Sequence, residues 1–241
     1  MKKIILIASI FLTSATANSQ VLISLIFGDK LNSDAIEFGL DGGINFSDIQ
    51  GLDGKAATGF NLGFYFDFKL KKNPSWMFNT GVLVKSPMGT KGLPVYSLNN
   101  PELDNAFEGG NVERKLRYFN VPLLMKHQFK NNIFVKGGIE LGLLFKASDE
   151  FTKTIKDSQD LVYTIETRDD YHRIDFGLNF GAGYRLMKGS GMNIGAQYYL
   201  GLKDIYKVAN TSPQYNRGFY ITAGIPIGKN KAKKNKENKQ D

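Results

Sequence analysis

Apolar and polar residues alternate with a period of two along most of this chain. The clearest run covers residues 174–185, where Ile174, Phe176, Leu178, Phe180, Ala182 and Tyr184 interleave with Asp175, Gly177, Asn179, Gly181, Gly183 and Arg185. A period of two marks a strand whose two faces meet different surroundings. The polar face here carries full charges, which an ordinary half-buried strand does not require. The pattern recurs over residues 36–47, 60–69, 76–85, 115–129, 133–146, 174–185, 191–203 and 218–228. Each run is long enough to cross a bilayer when tilted. The predicted fold is therefore all-β: an eight-stranded antiparallel up-and-down transmembrane β-barrel over residues 36–228.

The connections follow a second rhythm. Long linkers at 48–59, 86–114, 147–171 and 204–217 alternate with short ones at 70–75, 130–132 and 187–190. Bacterial barrels have this asymmetry, with short periplasmic turns and longer outer loops. An even strand number then places both termini on the periplasmic side. Within the linker 147–171, Val162, Thr164 and Ile165 read as the continuation of a strand beyond the membrane, part of a protruding hairpin. Pro122 falls inside the fourth strand. A closed barrel has no edge strand to host it, so a β-bulge or kink is predicted there.

The ends of the chain read differently. Lys2 and Lys3 precede an apolar run at 4–12 and then Ala15-Thr16-Ala17, the layout of a secretory signal peptide, taken as residues 1–19. This nine-residue run, Ser9 included, is too short to span a bilayer as a helix, and no later stretch reaches about 18 uninterrupted apolar residues. Residues 20–35 read as a linker holding a short periplasmic helix that ends near Gly28. Residues 229–241 hold six lysines against Glu237 and Asp241, and read as a disordered basic periplasmic tail. That tail with Lys2 and Lys3 supplies +6 of the net +8. The body is nearly neutral, so the charge gives no support for nucleic-acid binding. The chain contains no cysteine, which excludes disulfide and thiolate chemistry.

The polar parity of the strands defines the candidate site. An eight-stranded barrel has an interior that side chains fill, and the reading places Glu37, Asp41, Asp67, Arg117, Lys126, Lys136, Glu140, Asp175 and Arg185 inside it. Charges of both signs in a narrow space pair with one another, which points to a structural network and away from a general pore. Catalysis has little to build on. His127 and His172 are the only histidines, and both fall on the lipid-facing parity. A lipid-modifying enzyme would need His172 with Ser148 or Ser158 of the adjoining linker. No catalytic residue and no cofactor is assigned. Asp157, Asp160, Asp169 and Asp170 lack the order of a calcium loop, so no metal is assigned either. A soluble lipocalin-like ligand-binding barrel is the alternative in which the apolar parity faces inward.

Arg117-Tyr118-Phe119-Asn120-Val121-Pro122-Leu123-Leu124, Gly137-Gly138, Phe176-Gly177, Gly181-Ala182-Gly183-Tyr184 and Tyr198-Tyr199-Leu200-Gly201-Leu202 together carry a family likeness. In these segments the chain resembles the PorT-like family of outer-membrane β-barrel proteins, with the likeness spanning residues 36–228. The resemblance implies a monomeric barrel in the outer membrane of a Gram-negative cell envelope, surrounded by outer-membrane lipid. Insertion by the barrel-assembly machinery is expected, and an envelope or secretion-system protein is a candidate partner, although a secretion role does not transfer from a shared barrel alone. One feature departs from many such proteins: no aromatic residue ends the chain, and Ile227-Gly228 leads into the lysine-rich tail. The recognition element is then internal, at 219–227. The function expected is non-catalytic, a structural, binding or assembly role exercised through the outer loops and periplasmic ends.

Overall fold

A computed structural model describes residues 32–156, 159–208 and 211–227. The signal segment 1–19, the helix expected near 21–28 and the tail 229–241 lie outside the described residues. The strands are β1 (Ile36–Gln50), β2 (Lys55–Leu70), β3 (Asn73–Leu93), β4 (Asn111–Gln128), β5 (Ile133–Lys156), β6 (Gln159–Glu166), β7 (Ile174–Arg185), β8 (Asn193–Gly201) and β9 (Tyr215–Pro226). Leaving out β6, each strand pairs antiparallel with the next, β5 pairing with β7. β9 returns to β1 in the register Ile44↔Ile221 and closes the ring. All eight predicted strands are present.

The alternation explains which way each face points. Ile139, Leu143, Ile174 and Phe180 are 49%, 50%, 56% and 51% exposed. They belong to a continuous outward belt with Ile44, Phe60, Phe64, Leu123, Tyr198 and Ile221. In water such a belt would be a severe liability. The opposite parity is buried and polar, including Glu37, Asn61, Asp67, Asn120, Lys126, Glu140, Asp175, Asn179 and Arg185. The lipocalin-like alternative required the reverse, and the orientation of the faces overturns it. Inward glycines make room for large side chains. A Cβ on Gly39 would lie 2.3 Å from the Tyr65 ring, and one on Gly183 2.4 Å from the Phe134 ring.

At one end of the barrel the hairpins are tight. Between β7 and β8, Met187 and Lys188 adopt φ of 52° and 51°, the left-handed pair whose twist suits a hairpin. The first and last described residues meet at this same end, where the Ile227 N–H donates to Phe38 O at 2.9 Å.

At the other end three strands continue past the belt. β4 and β5 stay paired through Arg114↔Asp149 and Val112↔Phe151, and β6 folds back on β5 with Phe151↔Tyr163. This is the protruding hairpin predicted around Val162–Ile165. The β3–β4 connection also carries a helix, α1 (Pro101–Phe107), which the alternation did not reveal. Asn100 caps it by accepting from the N–H of Glu102 and Leu103, and Pro101 occupies its first turn. Phe107 of α1 packs with Leu93, Val112 and Phe151, and Leu98, Leu103, Leu161 and Ile165 close around them. The long linkers thus build a cap with its own apolar core.

The bulge predicted at Pro122 is not there. The β4–β5 register runs unbroken through Val121↔Leu141, Pro122↔Glu140 and Leu123↔Ile139. On the β3 side the ladder steps over Pro122, from Thr80↔Leu123 to Leu83↔Asn120. The missing N–H therefore removes local pairing to one neighbour and leaves the register intact. The register shifts involving β4 fall elsewhere, at Arg117/Tyr118 against β5 and, in the β3–β4 ladder, at Leu83/Ser86 and Thr90/Leu93 of β3.

Candidate functional site

The lumen is filled in layers. Nearest the tight-turn end, Arg185 Nη2 donates to both carboxylate oxygens of Glu37, at 2.6 and 2.5 Å, and the Tyr65 hydroxyl donates to Oε1 at 3.1 Å. Asp67 accepts from Lys126 Nζ at 2.7 Å and from Asn79 Nδ2 at 2.7 Å. The Lys126 ammonium also lies 4.6 Å from the centroid of the Phe134 ring. These two ion pairs are almost wholly shielded from water. Breaking such a pair by removing one partner strands a buried charge, which costs more than the pair contributes when intact.

Above them, Asp41 and Lys136 line the same two small cavities and stand farther apart than a direct ion pair. Each cavity has a volume of about 20 Å³, enough for about one water and no more. Glu140 accepts from Asn120 Nδ2 at 2.7 Å and from Asn179 Nδ2 at 2.5 Å. Asp175 accepts from Asn216 Nδ2 at 2.8 Å and from the Tyr199 hydroxyl. Amide and phenol donors, not cations, satisfy these two carboxylates directly.

Eight of the nine charged residues read from the sequence as lumenal are inside. Arg117 is not: it is exposed on the outward face. It shares the parity of Phe119 and Leu123, so the alternation itself places it outside. Its charge suggested the interior, but the residues that fill this level of the lumen are its neighbours Leu116 and Tyr118, at 0% and 1% exposure.

Those neighbours belong to a layer the sequence reading missed. Ile49, Met88, Leu116, Tyr118, Leu144, Tyr199 and Tyr220 form an apolar and aromatic plug, joined from the loops by Tyr171 and Ile205. Tyr171 and Tyr206 form a β-bridge with their rings 5.2 Å apart. The His172 N–H donates to Ile205 O, and the Lys207 N–H to Asp170 O, lacing two loops across the mouth. The available signal was parity: counting back from Asn120 puts Tyr118 and Leu116 inside.

Above the belt, Arg114 grips Asp149 with two parallel hydrogen bonds, Nε to Oδ1 at 2.9 Å and Nη2 to Oδ2 at 2.6 Å. The Tyr96 hydroxyl donates to Asp149 Oδ2 at 2.9 Å. Burial first, and then the adjacent carboxylate, push the Tyr96 hydroxyl above its usual pKa. On the cap surface, the N–H of Leu98 and the hydroxyl of Ser97 donate to Asp104, each at 2.7 Å, and hold its carboxyl below the usual range.

The residues considered for chemistry are dispersed. His127 is sandwiched between Trp76 and Phe129, with both ring separations 4.6 Å, at the tight-turn end. Ser148 is buried at the opposite end, and among the described residues no hydrogen bond joins it to His172. Ser158 and Asp157 lie outside the described residues, while Asp160 Oδ1 accepts from Thr154 at 2.7 Å.

Among solved structures, Ail, the attachment invasion locus protein of Yersinia pestis, is similar at 14% identity. The match covers 81% of this chain and 100% of Ail with a TM-score of 0.41. Neisserial surface protein A shares 11% identity over 81% of this chain and 99% of its own, with a TM-score of 0.40. The outer membrane protein AlkL shares 13% identity over 81% and 93%, with a TM-score of 0.36. No curated protein matches the chain. The family defined as "Outer membrane protein beta-barrel domain" matches residues 27–207, and the chain, with its closed ring and outward apolar belt, belongs to that family of the outer membrane.

Proposed function

We propose that this is a non-catalytic outer-membrane barrel whose work is recognition by the cap built from its long loops. The cap faces the cell exterior, and the tight turns and both chain termini face the periplasm. The observation that carries the reading is the cap's own apolar core, in which Phe107, Val112 and Phe151 are nearly or wholly inaccessible to solvent. Ordering long loops costs roughly 1–2 kcal/mol per residue in backbone entropy. A barrel serving only as a membrane anchor gains nothing from that outlay. Meanwhile the filled lumen offers no wide aqueous path, which argues against a diffusion pore.

The signal peptide at 1–19 delivers the chain through the inner membrane of a Gram-negative cell, and the barrel-assembly machinery inserts it as a monomer. The motifs around 117–124 and 176–202 support membership of the PorT-like group within the wider family. An envelope or secretion-system protein is then the class of partner for the cap or the periplasmic ends, with no cofactor and no nucleic acid involved.

Site-specific photocrosslinking in living cells tests this reading. A photoreactive residue at Ser97 or Tyr163 on the cap should yield discrete adducts, and one at Asn73 on a periplasmic turn should yield fewer. Cap positions that give no adduct, with adducts confined to the turn, would shift the binding function to the periplasmic side.

A further inference from the structure

The barrel wall has a built opening between β2 and β3. The ladder pairs Lys55↔Lys91 and Ala56↔Thr90, and resumes at Leu62↔Lys85. Residues 57–61 of β2 and 86–89 of β3 have no partners in that ladder. Two lumenal side chains of β1 take over instead: Asn45 Nδ2 donates to Pro87 O, and Ser47 Oγ donates to Gly89 O at 3.2 Å. Proline at 87 has no N–H to leave unpaired. Gly59 opens the route for Asn45, because a Cβ there would lie 2.3 Å from Asn45 Oδ1 and 2.5 Å from the Pro87 ring. The opening is thus bridged by side chains at the Pro87 and Gly89 carbonyls and shaped by three residues, Asn45, Gly59 and Pro87.

A cleft of about 580 Å³ occupies this opening, within the ~300–1,000 Å³ range of small-molecule sites. Its lining comes from both faces of the wall. Ser47, Ala57 and Met88 approach from the lumen, and Phe60, Val84 and Phe145 from the outward belt. Met88 belongs to the lumenal plug, so the cleft ends there and does not lead through the barrel.

The rim of the cleft is cationic. Arg114 is neutralised by Asp149, and Lys115 by Glu150 and by Glu113, the one carboxylate in the lining. Lys85 and Arg117 have no carboxylate partner among the described residues. The Lys85 ammonium lies 5.6 Å from the centroid of the Phe60 ring. Arg117 stands directly across the β4–β5 ladder from a second cation, Lys146, which turns to Glu166 at 2.5 Å. Opposed like charges are unfavourable unless an anion joins them. On its own strand each of these cations follows the outward apolar residues toward the cap: Lys85 comes after Val82 and Val84, and Arg117 lies beyond Phe119.

We propose that the β2–β3 cleft binds an anionic lipid of the surrounding leaflet, its phosphate held by Lys85 and Arg117 and one acyl chain lodged against Phe60, Val84 and Met88. The charge of the rim selects the head group, and the gap in the ladder admits the chain. The site is independent of the cap reading, since it lies in the wall and needs no protein partner.

The test uses the full mature chain in nanodiscs of phosphatidylcholine doped with phosphatidylglycerol carrying a diazirine on its acyl chain. Labelling should concentrate on residues 57–60 and 84–88. Unlabelled phosphatidylglycerol should compete, whereas phosphatidylcholine and free oleate should not. Labelling there should fall about tenfold or more in the Lys85→Gln, Arg117→Gln double variant, which removes two charge-assisted contacts to phosphate. Thr58→Phe, which fills the mouth and leaves both cations, should abolish it as well. Both variants should retain the heat-dependent gel shift of a folded barrel. Labelling spread evenly around the belt, labelling unchanged in the double variant, or competition by oleate as strong as by phosphatidylglycerol would each overturn the proposal.

Discussion

At the scale of single residues, the lumen is held by pairing, and its charges are not interchangeable. Lys126→Met leaves Asp67 buried with only Asn79 as partner. The expected loss is ~3–5 kcal/mol, because an uncompensated buried charge remains. Adding Asp67→Leu should restore most of it. Urea unfolding in detergent micelles, followed by tryptophan fluorescence of Trp76, measures both; a single variant as stable as the double would contradict the pairing. On the outward face, Leu178 sits between Ile139 and Leu200 in the middle of its strand. Leu178→Arg should impair insertion by ~2–4 kcal/mol. Insertion equal to wild type would show that the faces are misassigned. Arg117 teaches the same lesson in reverse. Its parity was legible and its charge was not a guide, because a cation at the upper belt edge meets head groups without entering the barrel.

At the scale of elements, the cap has its own apolar cluster and joins the barrel through β3, β4 and β5. Phe151→Ala removes the residue at the centre of the cap core, which also touches the Tyr96 and Phe107 rings. The expected cost is ~3–5 kcal/mol, borne by the cap. Protease added to intact cells should then cleave near 94–110 while the barrel keeps its gel shift. A variant that loses the gel shift and gains no cleavage would contradict the separation of the two units. The Ser97–Asp104 turn adds a pH dependence. The Asp104 carboxyl is held below its unfolded value of about 3.9 by two donors. Its stabilisation is therefore complete above that value and disappears as pH falls through the lower folded one. Amide exchange at Leu98 should accelerate relative to its intrinsic rate over that acidic interval, and Asp104→Asn should flatten the response.

The same scale shows what was readable in the chain. Within the membrane the two faces meet lipid and a polar interior, so the alternation is sharp and all eight strands were visible. β7 matches its predicted bounds of 174–185, since it ends where the belt ends. β3 and β5 run on to Leu93 and Lys156, where both faces meet protein or water and the contrast fades. At Val84 and Lys85 a bulge turns two consecutive side chains outward and breaks the parity that a period-two reading assumes. α1 did announce itself through Asn100-Pro101-Glu102, a capping sequence, but its short span lay inside a linker read only for length. The plug was hidden for another reason: tyrosine on a polar parity reads as an amphipathic strand residue, and only the three-dimensional ring brings Tyr118, Tyr199 and Tyr220 together.

At the scale of the whole molecule, the layers fill the described lumen, and the β2–β3 ladder leaves an opening in the wall. Ion pairs occupy the lower lumen, amides and carboxylates the middle, and the aromatic plug the top. Planar-bilayer recording of the purified chain should show no steady open conductance, and a stable open level would contradict the sealed lumen. The most direct test of the central claim, an apolar belt facing lipid around a closed polar interior, is electrophoresis of isolated outer membranes with and without boiling. The account predicts a monomer band in the outer-membrane fraction that migrates faster unboiled than boiled. A protein found in the soluble periplasmic or secreted fraction, with no heat-dependent shift, would contradict it.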